Sequence, residues 1–131
     1  MTDNKLIAAL LASPERYALL GDTCKRLGAK LRCISQSELS LTVDEVCRSA
    51  AERPEEPFPE RELLLFSGFS GGELGAAVSA LRQAGLYVPL KAVRTASNGG
   101  WSLAALLDEL SLEYEYMKQR KKEQNEPSSE V

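Results

Sequence analysis

The chain contains no histidine, and that absence removes the imidazole base on which most serine and cysteine hydrolases depend. Cysteine is scarce and odd in number: Cys24, Cys33 and Cys47, with no C-x-x-C spacing between any two. A structural zinc site needs four nitrogen or sulfur ligands, and three cysteines without histidine do not supply them. The thiols are therefore expected as free, mostly buried small hydrophobes, and no metal or cofactor is implied. No apolar run approaches the ~20 residues that span a bilayer. The stretch Leu6–Ala12 after the N-terminus is too short for a signal peptide and lacks its basic flank, so a cytoplasmic location without membrane contact is expected. A formal charge of −3 gives no whole-chain attraction to nucleic acid, which is not expected as a partner.

What is present is an ordinary globular composition over 131 residues, enough for a single domain with its own core. Residues 51–62 carry Pro54, Pro57 and Pro59 among acidic side chains, which forbids helix and central strand and marks a surface linker. The flanking halves, 1–50 and 62–122, read as the same βαβα unit. The first predicts strand Lys5–Ala12, helix Pro14–Leu27, strand Lys30–Ile34 and helix Val43–Ala51. The second predicts strand Glu62–Ser67, helix Gly71–Ala84, strand Leu90–Thr95 and helix Leu103–Lys122. The domain then covers 1–125, with 126–131 a disordered polar tail.

Punctuation repeats between the halves. Ser13 caps a helix whose first residue is Pro14, and Ser70 forms a capping box with Glu73. Gly28 and Gly85 end the two crossover helices, where a left-handed residue is needed. Thr42 (boxed with Glu45) and Ser102 cap the second helix of each half, with Leu41 and Trp101 placed as hydrophobic staples toward Val46 and Leu106. Offsets of about 57 and 60 residues relate these pairs, which implies an internal repeat.

Leu6–Ala12 and Leu63–Phe66 are continuously apolar, as strands covered on both faces must be; Leu31–Cys33 and Leu90–Ala92 alternate and suit edges. The expected fold is therefore α/β: a four-stranded, mostly parallel sheet of order 2-1-3-4 with helices on both faces. Right-handed crossovers would place the first and third helices on opposite faces and open a crevice at the junction of the first and third strands. An antiparallel junction is the alternative, and it removes that crevice. The last helix is expected to bury Leu103, Leu106, Leu107, Leu110, Tyr114 and Met117.

Gly68-Phe69-Ser70-Gly71-Gly72 fits G-x-S-x-G, the hydrolase nucleophile elbow, but the missing imidazole argues against catalysis and for a helix cap. The same glycines could bring backbone N–H groups to an anion, although Glu73 opposes one in the first turn. Asn98-Gly99-Gly100 reads as turn chemistry tolerating positive φ, with Thr95, Asn98 and Trp101 as a polar rim beside the glycine loop. Candidate ligand-binding residues are thus Ser67, Gly68, Ser70, Gly71, Thr95, Asn98 and Trp101. The basic run Lys118–Lys122 offsets the dipole of the last helix.

Leu64-Leu65-Phe66-Ser67-Gly68-Phe69-Ser70, Leu81-Arg82-x-Ala84-Gly85, Lys91-Ala92-Val93-x-Thr95, Asn98 and Trp101 together resemble a small bacterial family catalogued only as a domain of unknown function, number thirty-seven eighty-three of that series. The resemblance covers about residues 62–115, and the first half is similar to the family's looser N-terminal region. It implies the domain and no activity. Members often carry histidine after the apolar turns of the last helix; Glu113, Tyr114 and Glu115 stand there in this chain, so no histidine-dependent role carries over. The functional expectation is a non-enzymatic interaction or regulatory module, with a homodimer or other protein as partner; the alternative is a sensor of a small molecule or anion at loop 67–72.

Overall fold

Why apolar runs of this length become strands is visible in their side chains. In the computed structural model, which describes residues 5–48, 50–51, 53–56, 58–59 and 61–125, every residue of β1 (Leu6–Leu10) and β3 (Leu63–Ser67) is buried. The remaining elements are α1 (Pro14–Leu27), β2 (Lys30–Cys33), a 3-10 turn at Gln36–Glu38, α2 (Val43–Val46), α3 (Gly71–Gln83), β4 (Lys91–Val93) and α4 (Leu103–Asn125). The expected frayed tail, 126–131, lies outside the described residues, as does Pro57 of the linker.

The four strands form one mixed sheet in the order β2-β1-β3-β4. β2 is parallel to β1 and β4 is parallel to β3. The central pair is antiparallel, with Leu6 opposite Ser67, Ala8 opposite Leu65 and Leu10 opposite Leu63. This corrects the expected mostly parallel sheet: order and edge positions hold, and the relative direction of the halves is reversed. A continuous apolar run reports that both faces of a strand are covered and carries nothing about the direction of its neighbour.

Reversal also moves the helices. Right-handed crossovers in two opposed units put both crossover helices on one face, not on opposite faces as expected. Ile7, Ala9, Leu64 and Phe66 pack with Tyr17, Leu20 and Cys24 of α1 and with Ala77 and Leu81 of α3. Leu6, Ala8, Leu10, Leu63 and Leu65 point the other way, onto Val43 and Val46 of α2 and Leu103, Leu106 and Leu107 of α4. The period of two along each strand feeds both cores. The Tyr17 hydroxyl ties α1 to this frame, accepting from Leu11 N at 2.9 Å and donating to Ile34 O at 3.3 Å. Burial pushes that phenol up to about 12.

The expected caps are made. Ser13 accepts from Arg16 N, Thr42 and Glu45 close a capping box, and so do Ser70 and Glu73. Gly28 (φ 71°) and Gly85 (φ 86°) take the left-handed turn after α1 and α3. Other features differ from expectation. α2 stops at Val46, and the chain after it comes back so that Ala51 bridges Arg32 in parallel, covering the outer edge of β2. Ala51 is thus paired with the sheet, and Phe58 packs against the α1 core, so the proline-rich stretch is a strap held to the domain at both points. Met117, expected in the core, is 66% exposed because α4 runs past the end of the sheet.

The two halves meet again at their second helices. Val43 N donates to Trp101 O at 2.9 Å, and Leu103 N to Leu41 O at 2.8 Å; Asp44 N donates to Gly99 O, and Ala104 N to Leu39 O, both at 2.9 Å. The offset that relates 43 to 103 also relates 41 to 101, 44 to 104 and 39 to 99. The N-termini of α2 and α4 therefore exchange equivalent hydrogen bonds across the molecule.

Candidate functional site

With β1 and β3 antiparallel, the strand C-termini no longer share one edge, and the crevice expected at their junction is not formed. Two smaller cavities take its place, one at each end of the central pair. Where β3 ends, β1 and β2 begin, and a cleft of about 410 Å³ opens there, lined by Leu6, Lys30, Cys47, Arg48, Ala50, Ser67, Gly68 and Arg94. At the other end lies a cavity of about 600 Å³ between Ala12, Arg16, Arg61, Glu62, Leu90 and the α4 residues Ser111, Tyr114 and Glu115.

Of the seven candidate residues, Ser67 and Gly68 line the smaller cleft. Ser67 is 8% exposed, and Gly68 turns the chain away with φ 84°. Ser70 and Gly71 belong to the start of α3, where a capping box uses two of the donors: Ser70 N donates to Glu73 Oε1 at 2.9 Å and Glu73 N to Ser70 Oγ at 3.2 Å. That hydrogen bond from Ser70 N, with Lys5 nearby, holds the Glu73 carboxyl below its usual value, so a negative charge sits at the helix end.

Thr95 and Asn98 face each other rather than a ligand. Thr95 N donates to Asn98 Oδ1 at 2.9 Å, Asn98 N to Thr95 Oγ1 at 3.1 Å, and Asn98 Nδ2 to Val93 O at 3.0 Å. This side-chain brace fixes the turn into α4. Trp101 follows it, 41% exposed. Gly99 and Gly100 make this turn without the positive φ that they tolerate; the positive-φ glycines are Gly28, Gly68 and Gly85. Gly99 is needed for close approach instead, since a Cβ there would lie 2.5 Å from the Asp44 carboxylate.

The two cavities differ in charge. Around the larger, each arginine is held: Arg16 grips Glu62 through two 2.6 Å contacts and also donates to Tyr87 O, and Arg61 reaches Asp108 at 3.1 Å and Ser111 at 3.3 Å. Ala12, Pro89 and Leu90 supply apolar wall, and Glu115 adds a further carboxylate. Around the smaller, Lys30, Arg48 and Arg94 line the opening and no acidic side chain does, among the described residues. Arg94 is anchored from behind by Asp44, Nε to Oδ1 at 2.7 Å, and its Nη1 lies 3.5 Å from Ser67 Oγ. Neither arginine pair nor the lysine was singled out in the sequence, because Lys30, Arg48 and Arg94 fall on three separate segments and only the fold collects them.

Burial raises the Cys47 thiol beside this cleft, while Arg94, Ser67 and Arg32 pull it down. Cys24 is buried in the α1 core and pushed up to about 12. Lys91 donates to Val88 O and lies over the Tyr87 ring, and burial lowers its pKa. Among the described residues no three His, Cys, Asp or Glu side chains gather to hold a metal ion, and no helix is long and apolar enough to cross a membrane.

A third feature is a surface. Beyond Leu110 and Tyr114, which are still partly covered, α4 exposes Leu112 (69%), Tyr116 (61%) and Met117. Lys118 stacks over Tyr114 and Arg120 over Tyr116, at 5.3 and 5.8 Å from the ring centroids. Charge is divided along the helix: Asp108, Glu109, Glu113 and Glu115 precede Tyr116, and Lys118, Arg120, Lys121 and Lys122 follow it.

Searches of curated proteins and of solved structures gave no match. Residues 62–117, which hold β3, α3, β4 and the first two-thirds of α4, match the family described as Domain of unknown function (DUF3783); within that stretch lie the α3 cap, the Thr95–Asn98 brace and the Ser67–Gly68 wall of the cleft.

Proposed function

We propose that the protein is a bacterial, cytoplasmic, internally repeated module without catalytic activity, which works by pairing the distal part of α4 with a second copy of the chain. The observation that carries this reading is the exposed Leu112–Tyr116–Met117 surface set at the midpoint of a charge-divided helix. Two such helices crossing antiparallel near Tyr116 bring the acidic segment of one copy alongside the basic segment of the other, with Glu113 nearest Arg120. A parallel pair sets like charges together, which costs binding. Stacked Tyr114 and Tyr116 rings restrict the side chains before contact, lowering the ordering cost.

A contact of a few side chains per copy makes a weak dimer, because association itself costs roughly 4–15 kcal/mol. Size-exclusion with light scattering is therefore expected to show monomer at low micromolar protein and dimer as the concentration approaches the millimolar range. Met117→Glu, on an exposed site, is expected to remove the dimer and leave the thermal midpoint unchanged. A chain that stays monomeric at every concentration contradicts the proposal.

The second reading, anion sensing at loop 67–72, is favoured by the cationic cleft and not by the helix end first considered for it. There the Glu73 carboxylate accepts from Ser70 N and sets a negative charge at the helix end.

A further inference from the structure

We propose that the cleft at the end of β3 is a binding site for a small phosphate-bearing molecule, gripped by Lys30, Arg48 and Arg94 together with the Ser67 hydroxyl. This is independent of α4, which contributes nothing to the cleft.

The argument begins with charge. Three cationic side chains surround a cavity of about 410 Å³ with no carboxylate in its lining, among the described residues. Like charges on one rim repel each other, and the repulsion is relieved when a dianion enters between them. Arg94 pairs with Asp44; no ion pair within 4.0 Å reaches Lys30 or Arg48 among the described residues. The contrast with the larger cavity is informative, since there Arg16 and Arg61 are each matched to a carboxylate on the spot.

Orientation comes next. Asp44 takes the Nε–H of Arg94, and Nη1 is directed toward Ser67 Oγ. A guanidinium fixed in this way presents its remaining N–H groups in a fork that suits the oxygens of phosphate. The anchor is itself built in: Asp44 reaches its place because Gly99 has no side chain to exclude it. Ser67 is a buried polar residue in the lining of the cleft whose hydroxyl, among the described residues, meets long or weak partners, Arg94 Nη1 at 3.5 Å and the Cys47 thiol. A phosphate oxygen would give it a strong acceptor.

Size and lining set the rest of the ligand. The cleft has room for more than a phosphate, and Leu6 and Ala50 offer apolar wall to a small organic portion. Gly68, turned at φ 84°, adds backbone and no side chain to the lining. The positive end of α3 is not part of the site: no α3 residue lines the cleft, and Ser70 caps that helix.

The test is an NMR titration of the full chain with inorganic phosphate, at ionic strength held constant with chloride. Amide shifts concentrated at Ser67, Gly68, Arg94 and Cys47 are expected, together with slower alkylation of Cys47 by iodoacetamide when phosphate is bound. Arg48→Gln and Lys30→Gln replace exposed side chains outside any ion pair described here, so both variants are expected to fold. Each should weaken phosphate binding at least fivefold. Shifts spread evenly over surface cations, or centred on Arg16 and Arg61, overturn the proposal; so does an affinity that both variants leave unchanged.

Discussion

Arg32 is where a single residue most changes the reading of the chain. As the middle of Leu31-Arg32-Cys33 it looks like the solvent-facing position of an edge strand. It is instead buried, because the chain after α2 closes over it: Nε donates to Val46 O at 3.2 Å, Nη1 to Cys33 O at 2.9 Å, and the fork grips both oxygens of Glu38 at 3.1 and 2.8 Å. The Arg32 hydrogen bond, more than any other contact, holds the Glu38 carboxyl below its ordinary 4.5. A carboxyl whose pKa is lower in the folded state stabilises the protein above its unfolded pKa, and that contribution fades as pH falls through the lowered folded value. Glu38→Gln is therefore expected to cost about 1.5–3 kcal/mol at pH 7, the usual worth of hydrogen bonds to a charged group. Urea unfolding measured from pH 7 to pH 3 should show the gap between wild type and variant narrowing below pH 4.5. A gap that stays constant over that range contradicts the role given to the carboxylate.

Among elements, those announced by capping chemistry were legible and those set by tertiary contact were not. α1 begins at Pro14 and ends at Leu27 as its Ser13 cap and Gly28 stop require. α3 begins where the Ser70–Glu73 box places it. α2 has the same quality of N-terminal signal, yet it ends after a single turn because Ala51 must reach the edge of β2, and nothing local in Cys47–Ala50 records that demand. The candidate site shows the same division. Ser67 and Gly68 could be read from their strand–turn position, while Lys30, Arg48 and Arg94 gather only once the halves are opposed. The junction of α2 with α4 supplies a test at this scale. Gly99→Ala would set a methyl 2.5 Å from the Asp44 carboxylate, so that this side chain must swing away and release Arg94, at up to about 1 kcal/mol for an exposed ion pair. Gly100→Ala meets nothing within 4 Å and should shift stability by less than about 0.5 kcal/mol. Equal urea midpoints for the two variants would refute the close approach.

For the whole molecule, the decisive fact is that two similar units lie opposed across β1 and β3. Opposition puts α1 and α3 on one face, sets one cleft at each end of the central strands, and joins α2 to α4 by reciprocal hydrogen bonds. Strand order was readable because edge and centre differ in composition; direction was not, because burial on two faces looks the same either way. The longest helix leaves this frame with an apolar patch uncovered between its acidic and basic segments. Antiparallel pairing of that helix is the central functional claim, and charge exchange tests it most directly. Glu113→Lys with Glu115→Lys makes one variant basic on both sides of Tyr116; Lys118→Glu with Arg120→Glu makes another acidic on both sides. Measured by native mass spectrometry, each alone should be monomeric, and an equimolar mixture should form the one-to-one heterodimer. A mixture that remains monomeric, or variants that dimerise alone as well as wild type does, would contradict it.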